Sequence, residues 1–430
     1  MNRFIFSLFV VTALFSCQNK DRPVVQVAFV DSLIKNYTTP QSITNNEADM
    51  QFWKNRISAT TPDYSNTLKY AGTLMRRFHL TGDIRDVILA DSLLLKSAAD
   101  YNGREAGPYF SLVSHYILQH RFKDADSIFQ KAAALGIKQY ETAAVMFDID
   151  FELGRIQLAK QYLKQIEIEN DYGYQFRKSK MMHYNGQLDS SIAAMQKAVE
   201  NAGRDEPLRL AALSNVGDLY IHAAKPDKAY DCFVECVKAN AADMHSIMGI
   251  GWVVLVKDKN DSLAEKIFQF AAGKTRSPDP LFKLVAVAEQ RNDSALQLKY
   301  AAQFEAKATN TLNGNMYNKY LVQLYTGILN NPAKAEAIAK KELDNRATPQ
   351  TYAWYVWSLL CNNKADEAYK VYEKNVSGKP LEGLELYWMG KLMQHLNKGY
   401  NAKQFFTAAA INLYDLNPAI QIDLKKGLAE

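Results

Sequence analysis

The sequence predicts an all-α fold: a solenoid of about nine to ten stacked helix pairs. Three observations support this prediction. A triplet of small residue, phenylalanine and small residue recurs four times, always with spacings of four and three residues. The copies lie apart by multiples of a common period, and turn residues fall between the predicted helices. Spacings of four and three place the whole triplet on one helical stripe, where a neighbouring helix can approach closely.

The triplets define the second helix of each predicted pair. They are Ala125–Phe129–Ala132, Ala229–Phe233–Cys236, Ala264–Phe268–Ala271 and Ala402–Phe406–Ala409. Their first members are 104, 35 and 138 residues apart, which is close to three, one and four units of about 34 residues. The same period predicts weaker units anchored at Ala159, Ser191, Ala295, Ala335 and Ala368, with Lys299 where a phenylalanine is expected.

An earlier helix precedes the triplet in the clearest units. Leu213, Val216, Gly217 and Tyr220 stand at regular helical spacing, and Gly390 occupies the position of Gly217 in a later unit. Because glycine has no side chain, the second helix can lie close at that point. Residues that break helices follow at Gly154, Gly186, Lys225–Pro226, Asn331–Pro332 and Gly399, and Pro278, Pro280, Pro349 and Pro418 lie near unit boundaries.

Together, these anchors resemble the tetratricopeptide repeat family over residues 106–420. The resemblance implies a right-handed superhelix whose first helices line a concave face that receives a protein or peptide partner. Residues 63–105 are expected to form a degenerate helical repeat, and residues 421–430 a C-terminal tail or capping helix.

The N-terminus has the layout of a secretory signal: one basic residue, Arg3, then an apolar run from Phe4 to Phe15. Leu14-Phe15-Ser16-Cys17 resembles the lipobox of bacterial lipoproteins. That resemblance implies a signal peptide over 1–16, palmitate-type acylation at Cys17 and a place in the cell envelope; Gln18 after the cysteine implies the outer membrane. The charged Lys20-Asp21 is similar to export tags of Bacteroidetes surface lipoproteins. The alternative is an ordinary secreted protein with an incidental cysteine. Residues 17–62 are expected to be a lipidated tether with possible short helices.

Composition and motifs exclude several function classes. A net charge of +5 over 430 residues gives no concentrated basic field for nucleic acid. Phosphate-binding loops, dinucleotide fingerprints and known nucleophile motifs are absent from the sequence, so no catalytic residue and no cofactor are predicted. Cys232 and Cys236 could share a helical face, but two ligands do not make a zinc site, so no metal is predicted and both are expected to be buried. Asp148 and Asp150 are expected to lie on a solvated helix surface.

In the tetratricopeptide family the fifth and ninth positions of the first helix often face the groove. In this register those positions include Phe110, Ser214, Asp218, Tyr320, Trp357, Tyr387 and Lys391. The candidate concave-face binding residues are Phe110, Tyr320, Trp357, Tyr387 and Lys391, because aromatic side chains supply large contact areas at low entropic cost. The alternative is that these aromatic residues pack against the next repeat.

The functional hypothesis is a non-catalytic, membrane-anchored scaffold that mediates protein–protein interaction at the bacterial cell envelope. A nutrient-binding lipoprotein of the SusD-like type, which would bind glycans on aromatic residues, is the first alternative. An enzyme whose repeats only support a site assembled from distant residues is the second.

Overall fold

The computed structural model describes residues 22–58 and 60–429, except for the side chain of residue 400, and these residues fold almost entirely into helices, without a β-strand. Cys17 and the predicted signal segment lie outside them. Within the described part of the chain, no helix is both long enough and apolar enough to span a bilayer.

Twenty of the helices form ten consecutive pairs, each joined by a short turn. The first helices of the pairs are α3 (Tyr64–Thr81), α5 (Ala106–Leu118), α7 (Gln139–Glu152), α9 (Tyr172–Tyr184), α11 (Glu206–His222), α13 (Met244–Val256), α15 (Asp279–Gln290), α17 (Asn318–Thr326), α19 (Pro349–Cys361) and α21 (Gly383–His395). The second helices are α4 (Ile84–Asp100), α6 (Phe122–Ala134), α8 (Ile156–Gln165), α10 (Leu188–Asn201), α12 (Pro226–Ala239), α14 (Asp261–Ala272), α16 (Ser294–Ala308), α18 (Pro332–Asn345), α20 (Ala365–Asn375) and α22 (Gly399–Ala409). The predicted all-α solenoid is confirmed.

Further helices flank the ten pairs. The helices α1 (Val27–Lys35) and α2 (Gln41–Arg56) precede them, and α23 (Pro418–Ala429) follows them. Two short 3-10 helices, Thr311–Asn313 and Ala410–Asp415, lie in connections.

Each of the ten pairs turns through one residue in the left-handed backbone region. These residues are Gly82, His120, Gly154, Gly186, Ala224, Lys259, Asn292, Asn330, Asn363 and Asn397. Glycine and asparagine tolerate this conformation best and make up seven of the ten. The turns predicted at Gly154 and Gly186 therefore form as expected, and the other three predicted turns lie within one or two residues of a left-handed residue.

The phenylalanines of the triplets fill the space inside each pair. Phe129, Phe233, Phe268 and Phe406 are almost completely buried. A methyl group on Gly217 would lie 2.5 Å from the Phe233 ring, so the expectation that this glycine permits close approach is confirmed.

One predicted anchor is wrong. Ala295 and Lys299 are exposed, whereas Tyr300, Ala301 and Phe304 form the buried stripe of α16. Ala301 occupies the position of the usual phenylalanine, and Phe304 that of the following small residue. The exchange of large and small residues preserves the packed volume but hides the pattern from a search by residue type.

The expected tether is also corrected for the residues that the structure describes. Helix α1 packs on the outer face of the solenoid, where Phe29 meets Tyr230 of α12 and Tyr37 meets Phe270 of α14. Just before α1, both carboxylate oxygens of Asp258 accept hydrogen bonds from backbone amides, at 2.8 Å from Val24 and 2.9 Å from Val25. The segment from residue 22 onward is therefore folded against the array instead of standing away from it.

Candidate functional site

The solenoid coils so far that the turns inside early helix pairs contact the connections between later pairs. The hydrogen bonds that join them link residues 190 to 225 positions apart. They include Thr275 Oγ1 to Thr81 O, Asn315 Nδ2 and Asn345 Nδ2 to His120 O, Arg346 Nη1 to Glu152 Oε2, and Asn412 Nδ2 to His222 O. The inner helices consequently enclose space instead of lining an open groove.

The enclosed space consists of two adjoining cavities of 720 and 560 Å³, which we call the chamber. Both cavities are lined by His222, Lys319, Glu382 and Asp415. The larger one lies between the turns of α7–α8 and α9–α10 on one side and the start of α19 on the other. The smaller one lies among α11, α13, α15, α17 and α21. Cavities of this size accommodate a small ligand or a few residues of a peptide.

Two histidine–aspartate pairs line the chamber. Asp218 and His222 lie one turn apart on α11, so both point inward. His222 Nδ1 lies 2.6 Å from Asp415 Oδ2, and His245 Nε2 lies 2.9 Å from Asp218 Oδ2. Burial opposes the charged form of His222, but Asp415 outweighs it and raises the pKa of His222 to about 9. Asp218 likewise raises the pKa of His245 to about 9.

Lys319 is held between two carboxylates at the base of α21. Its Nζ lies 2.9 Å from Glu385 Oε1 and 3.5 Å from Glu382 Oε2. Glu385 is fully buried and also accepts a hydrogen bond from Trp354 Nε1 at 2.9 Å. Burial opposes ionisation of Glu382, yet Lys319 and His222 lower its pKa to about 2. This cluster is therefore a fixed set of charges.

The opposite wall of the chamber carries an ammonium group over an aromatic ring. Lys283 Nζ lies 3.8 Å from the centre of the Trp252 ring. Burial lowers the pKa of Lys283 and raises that of the neighbouring Asp279. Beside them, Tyr320 packs on Phe282 with ring centres 4.5 Å apart, and burial raises the pKa of Tyr320 to about 12.

The ionisation of these groups is set by burial and by their charged partners. Both chamber imidazoles are held protonated near neutral pH, so neither acts as a general base there. Burial also raises the pKa of the Cys232 thiol to about 11 and that of the Cys236 and Cys361 thiols to about 12, which keeps them from being nucleophiles. Among the described residues no cluster of three or more ligating side chains could hold a metal ion. The chamber walls combine paired charges with aromatic and other apolar side chains.

The five predicted binding residues lie in different surroundings. Tyr320 lines the chamber, and Phe110 lines a separate 910 Å³ groove on the N-terminal side. Trp357 stacks on Trp388 at 5.6 Å and donates to Thr326 Oγ1 at 3.0 Å. Tyr387 and Lys391 both contact the carboxylate of Asp423 in α23. For all five residues, binding of a partner stays a prediction.

The sequence reasoning missed most of the charged residues of the chamber. The repeat register predicts a groove position for Asp218. It predicts none for His222, His245, Lys319, Glu382 and Asp415. The register contained one usable signal, because His222 lies four residues after Asp218 on the same face. Asp150 is a correction: it is fully buried and pairs with Arg155 at 3.1 Å, instead of lying on a solvated surface.

No family model matches the chain, and no curated protein matches it either. The chain is similar to several solved structures at low identity. A tetratricopeptide repeat protein from Parabacteroides merdae is 14% identical and covers 60% of this chain and 99% of its own, with a TM-score of 0.35. A Rap protein complexed with competence and sporulation factor is 12% identical, covers 76% and 99%, and has a TM-score of 0.43. Human IFIT1, solved as a dimer with PPP-AAAA, is 11% identical, covers 90% and 99%, and has a TM-score of 0.45.

Proposed function

We propose that this protein is a non-catalytic scaffold that holds a segment of a partner protein in the chamber, anchored to the bacterial cell envelope by a lipid on Cys17. The observation that carries the proposal is the contact between turns of the superhelix. Because of it, side chains of the inner helices, among them Tyr320 and Lys283, line a cavity that a partner's residues can enter.

The chamber walls are organised before any partner arrives. His222 and His245 are each held by a carboxylate, and Lys319 is held by two. Side chains that are already fixed lose little conformational entropy on binding. Alternating positive and negative groups suit the donors and acceptors of a peptide backbone, which carries both.

The lipid would leave the chamber free. Cys17 lies five positions before Arg22, and a chain of that length spans at most about 18 Å. The amides of Val24 and Val25 are fixed to Asp258, beside the outer helices α12 and α14. The proposed anchor therefore attaches to the outer face of the solenoid, and the membrane raises the local concentration of the protein near envelope partners.

The test is photo-crosslinking in cells with a benzoylphenylalanine at Gln323, which lines the chamber on α17. The matched control carries the same group at Leu298, which is 48% exposed on the second helix α16. We expect a discrete protein adduct from Gln323 and none of the same mass from Leu298. Identical adducts from both positions, or none from Gln323, would contradict the proposal. Saccharide binding on a glycan array that is lost in Trp357→Ala would favour the glycan-binding alternative.

A further inference from the structure

The last residues of the described chain lie against the inner wall of the chamber. We call residues 410–429, the 3-10 helix Ala410–Asp415 together with α23, the C-terminal segment. Its contacts reach four inner helices and the turn before α14. They are Asp415 with His222 (2.6 Å), Tyr414 O with Trp252 Nε1 (2.8 Å), Asn417 with Glu289 (2.7 Å), Gln421 with Lys259 (2.7 Å), and Asp423 with Tyr387 (2.7 Å) and Lys391 (3.1 Å).

Apolar packing accompanies these polar contacts, because Leu413, Tyr414, Ile420 and Leu428 also pack against the core. Among its apolar side chains, Leu416 and Leu424 are deeply buried, while Ile411 and Ile422 are 62% and 58% exposed. A paired helix of similar length, α14, buries Leu263, Ala264, Ile267, Phe268 and Ala271. Elements with few buried apolar contacts open at a lower free energy than the rest of a fold. The segment is thus held by hydrogen bonds of modest net contribution together with an apolar interface in which α23 buries fewer residues than α14 does.

The connection to the segment also departs from regular helix. Asn412 has φ −102° and ψ 38°, which interrupts the helical path between α22 and α23. Asn417 then caps α23, since its side chain accepts the backbone amide of Ile420 at 2.8 Å. A kink at Asn412 therefore separates the segment from the regular helical path of α22.

Most of the groups that hold the segment are hydrogen-bond donors; Glu289, which accepts from Asn417 Nδ2, is the exception. Protonated His222 and Lys391 each meet a carboxylate, Tyr387 donates to the same Asp423 oxygen as Lys391, and Trp252 donates to a backbone carbonyl. The wall thus presents donors and positive charge to two aspartates eight residues apart. Charge-assisted hydrogen bonds of this kind are stronger than neutral ones and define the chemistry of what binds.

We propose that the wall formed by His222, Trp252, Tyr387 and Lys391 is a docking surface for an acidic segment of a partner protein, and that the C-terminal segment occupies it until that partner arrives. This inference rests on the proposed function, because it names the partner's chemistry. It also accounts for Tyr387 and Lys391, two of the predicted concave-face residues, which bind an intramolecular carboxylate here. The carboxylates of the partner take the place of the Asp415 and Asp423 carboxylates in these contacts.

The test uses point variants, because the end of α23 also covers the Phe406 ring beside Gly427. A fluorescent, N-acetylated peptide of residues 408–430 is titrated into the full chain and into an Asp415→Asn/Asp423→Asn double variant. We expect the double variant to bind the peptide at least tenfold more tightly than the wild type, because its own segment competes less well. A peptide carrying the same two asparagines should bind the double variant at least tenfold more weakly than the wild-type peptide.

The control is an Asp344→Asn/Glu373→Gln variant, which removes two exposed charges from the outer helices α18 and α20. It should bind the peptide as the wild type does. Equal affinity of both chains, affinity independent of the peptide's aspartates, or no binding to the double variant would overturn the inference.

Hydrogen exchange on the unaltered chain gives an independent readout if the double variant does not fold. The amides of α23 should exchange at least a hundredfold faster than those of α11 and α21; equal protection would overturn the inference. Binding of the fluorescent peptide reports on this wall alone, whereas the adduct from Gln323 reports on partner capture. A crosslinked adduct from Gln323 without the expected binding of the peptide would therefore reject the acidic docking surface and leave the proposed function standing.

Discussion

Arg346 forms an ion pair with Glu152, a residue 194 positions earlier in the chain, with 3.3 Å between Nη1 and Oε2. The same guanidinium lies 5.1 Å from the centre of the Phe122 ring and 5.2 Å from that of Trp354. Arg346 therefore joins an early turn of the superhelix to a later one at the mouth of the chamber.

Replacing Arg346 by alanine should loosen this closure. Both partners are largely buried, and Glu152 would keep Lys180 as its counter-charge at 3.1 Å. We expect the free energy of unfolding to fall by about 2 to 3 kcal/mol and the radius of gyration to rise. Lys364→Ala is the control, because it breaks an outer-surface pair with Glu336 and should lower the free energy of unfolding much less. Equal losses in urea unfolding would show that Arg346 has no special role.

The glycine of the first helix gives a second prediction. Gly217→Ala places a methyl group 2.5 Å from the Phe233 ring and should destabilise the protein by about 1 to 3 kcal/mol. Gly72, in α3, has open space around it, so Gly72→Ala should be stabilising by about 0.5 to 1 kcal/mol through helix propensity. Thermal unfolding of the two variants should therefore shift in opposite directions, and a shift in the same direction would refute this packing account.

The pair of His222 and Asp415 predicts a pH dependence. The pKa of His222 is raised from 6.5 to about 9, so the unfolded chain loses this proton before the folded one. The stabilisation that the pair of His222 and Asp415 contributes is complete below pH 6.5 and is lost as the pH rises through 9. We expect the stability difference between wild type and Asp415→Asn in urea to shrink between pH 7 and pH 9.5. A difference that stays constant or grows would contradict the assignment.

The proposed lipid anchor predicts a change of cell fraction without a change of fold. Cys17→Ala should release the protein from the membrane fraction and abolish labelling with a palmitate analogue. The control, Cys232→Ala, removes a different thiol and should leave both unchanged. Circular dichroism of the released Cys17→Ala protein should still be that of a helical protein. A Cys17→Ala protein that stayed in the membrane fraction would rule out the anchor.

Local pattern was sufficient to predict the helix pairs. The triplets around Phe129 and Phe233 fix one buried stripe per helix, and a residue such as Gly154 ends the helix before it; both signals lie within a few residues. The pattern failed at α16, where Ala301 and Phe304 exchange sizes. Packing depends on the summed volume between two helices and not on which helix carries the large side chain.

The chamber could not be predicted in the same way. Whether Glu152 meets Arg346 depends on small rotations added over about six repeats, and no spacing in the sequence records their sum. Asp415 and His222 are 193 residues apart, so each looks like an isolated surface charge in the sequence. Asp150 is a different case, because its partner Arg155 lies only five residues later in the chain.

Small-angle X-ray scattering of the full chain tests the closed superhelix most directly. If the turns meet as Arg346 and Glu152 indicate, the measured curve should match the one calculated from the described residues, and Arg346→Ala should increase the maximum dimension. A wild-type curve typical of an open, elongated superhelix, unchanged by Arg346→Ala, would mean that the chamber does not exist in solution and would contradict the account.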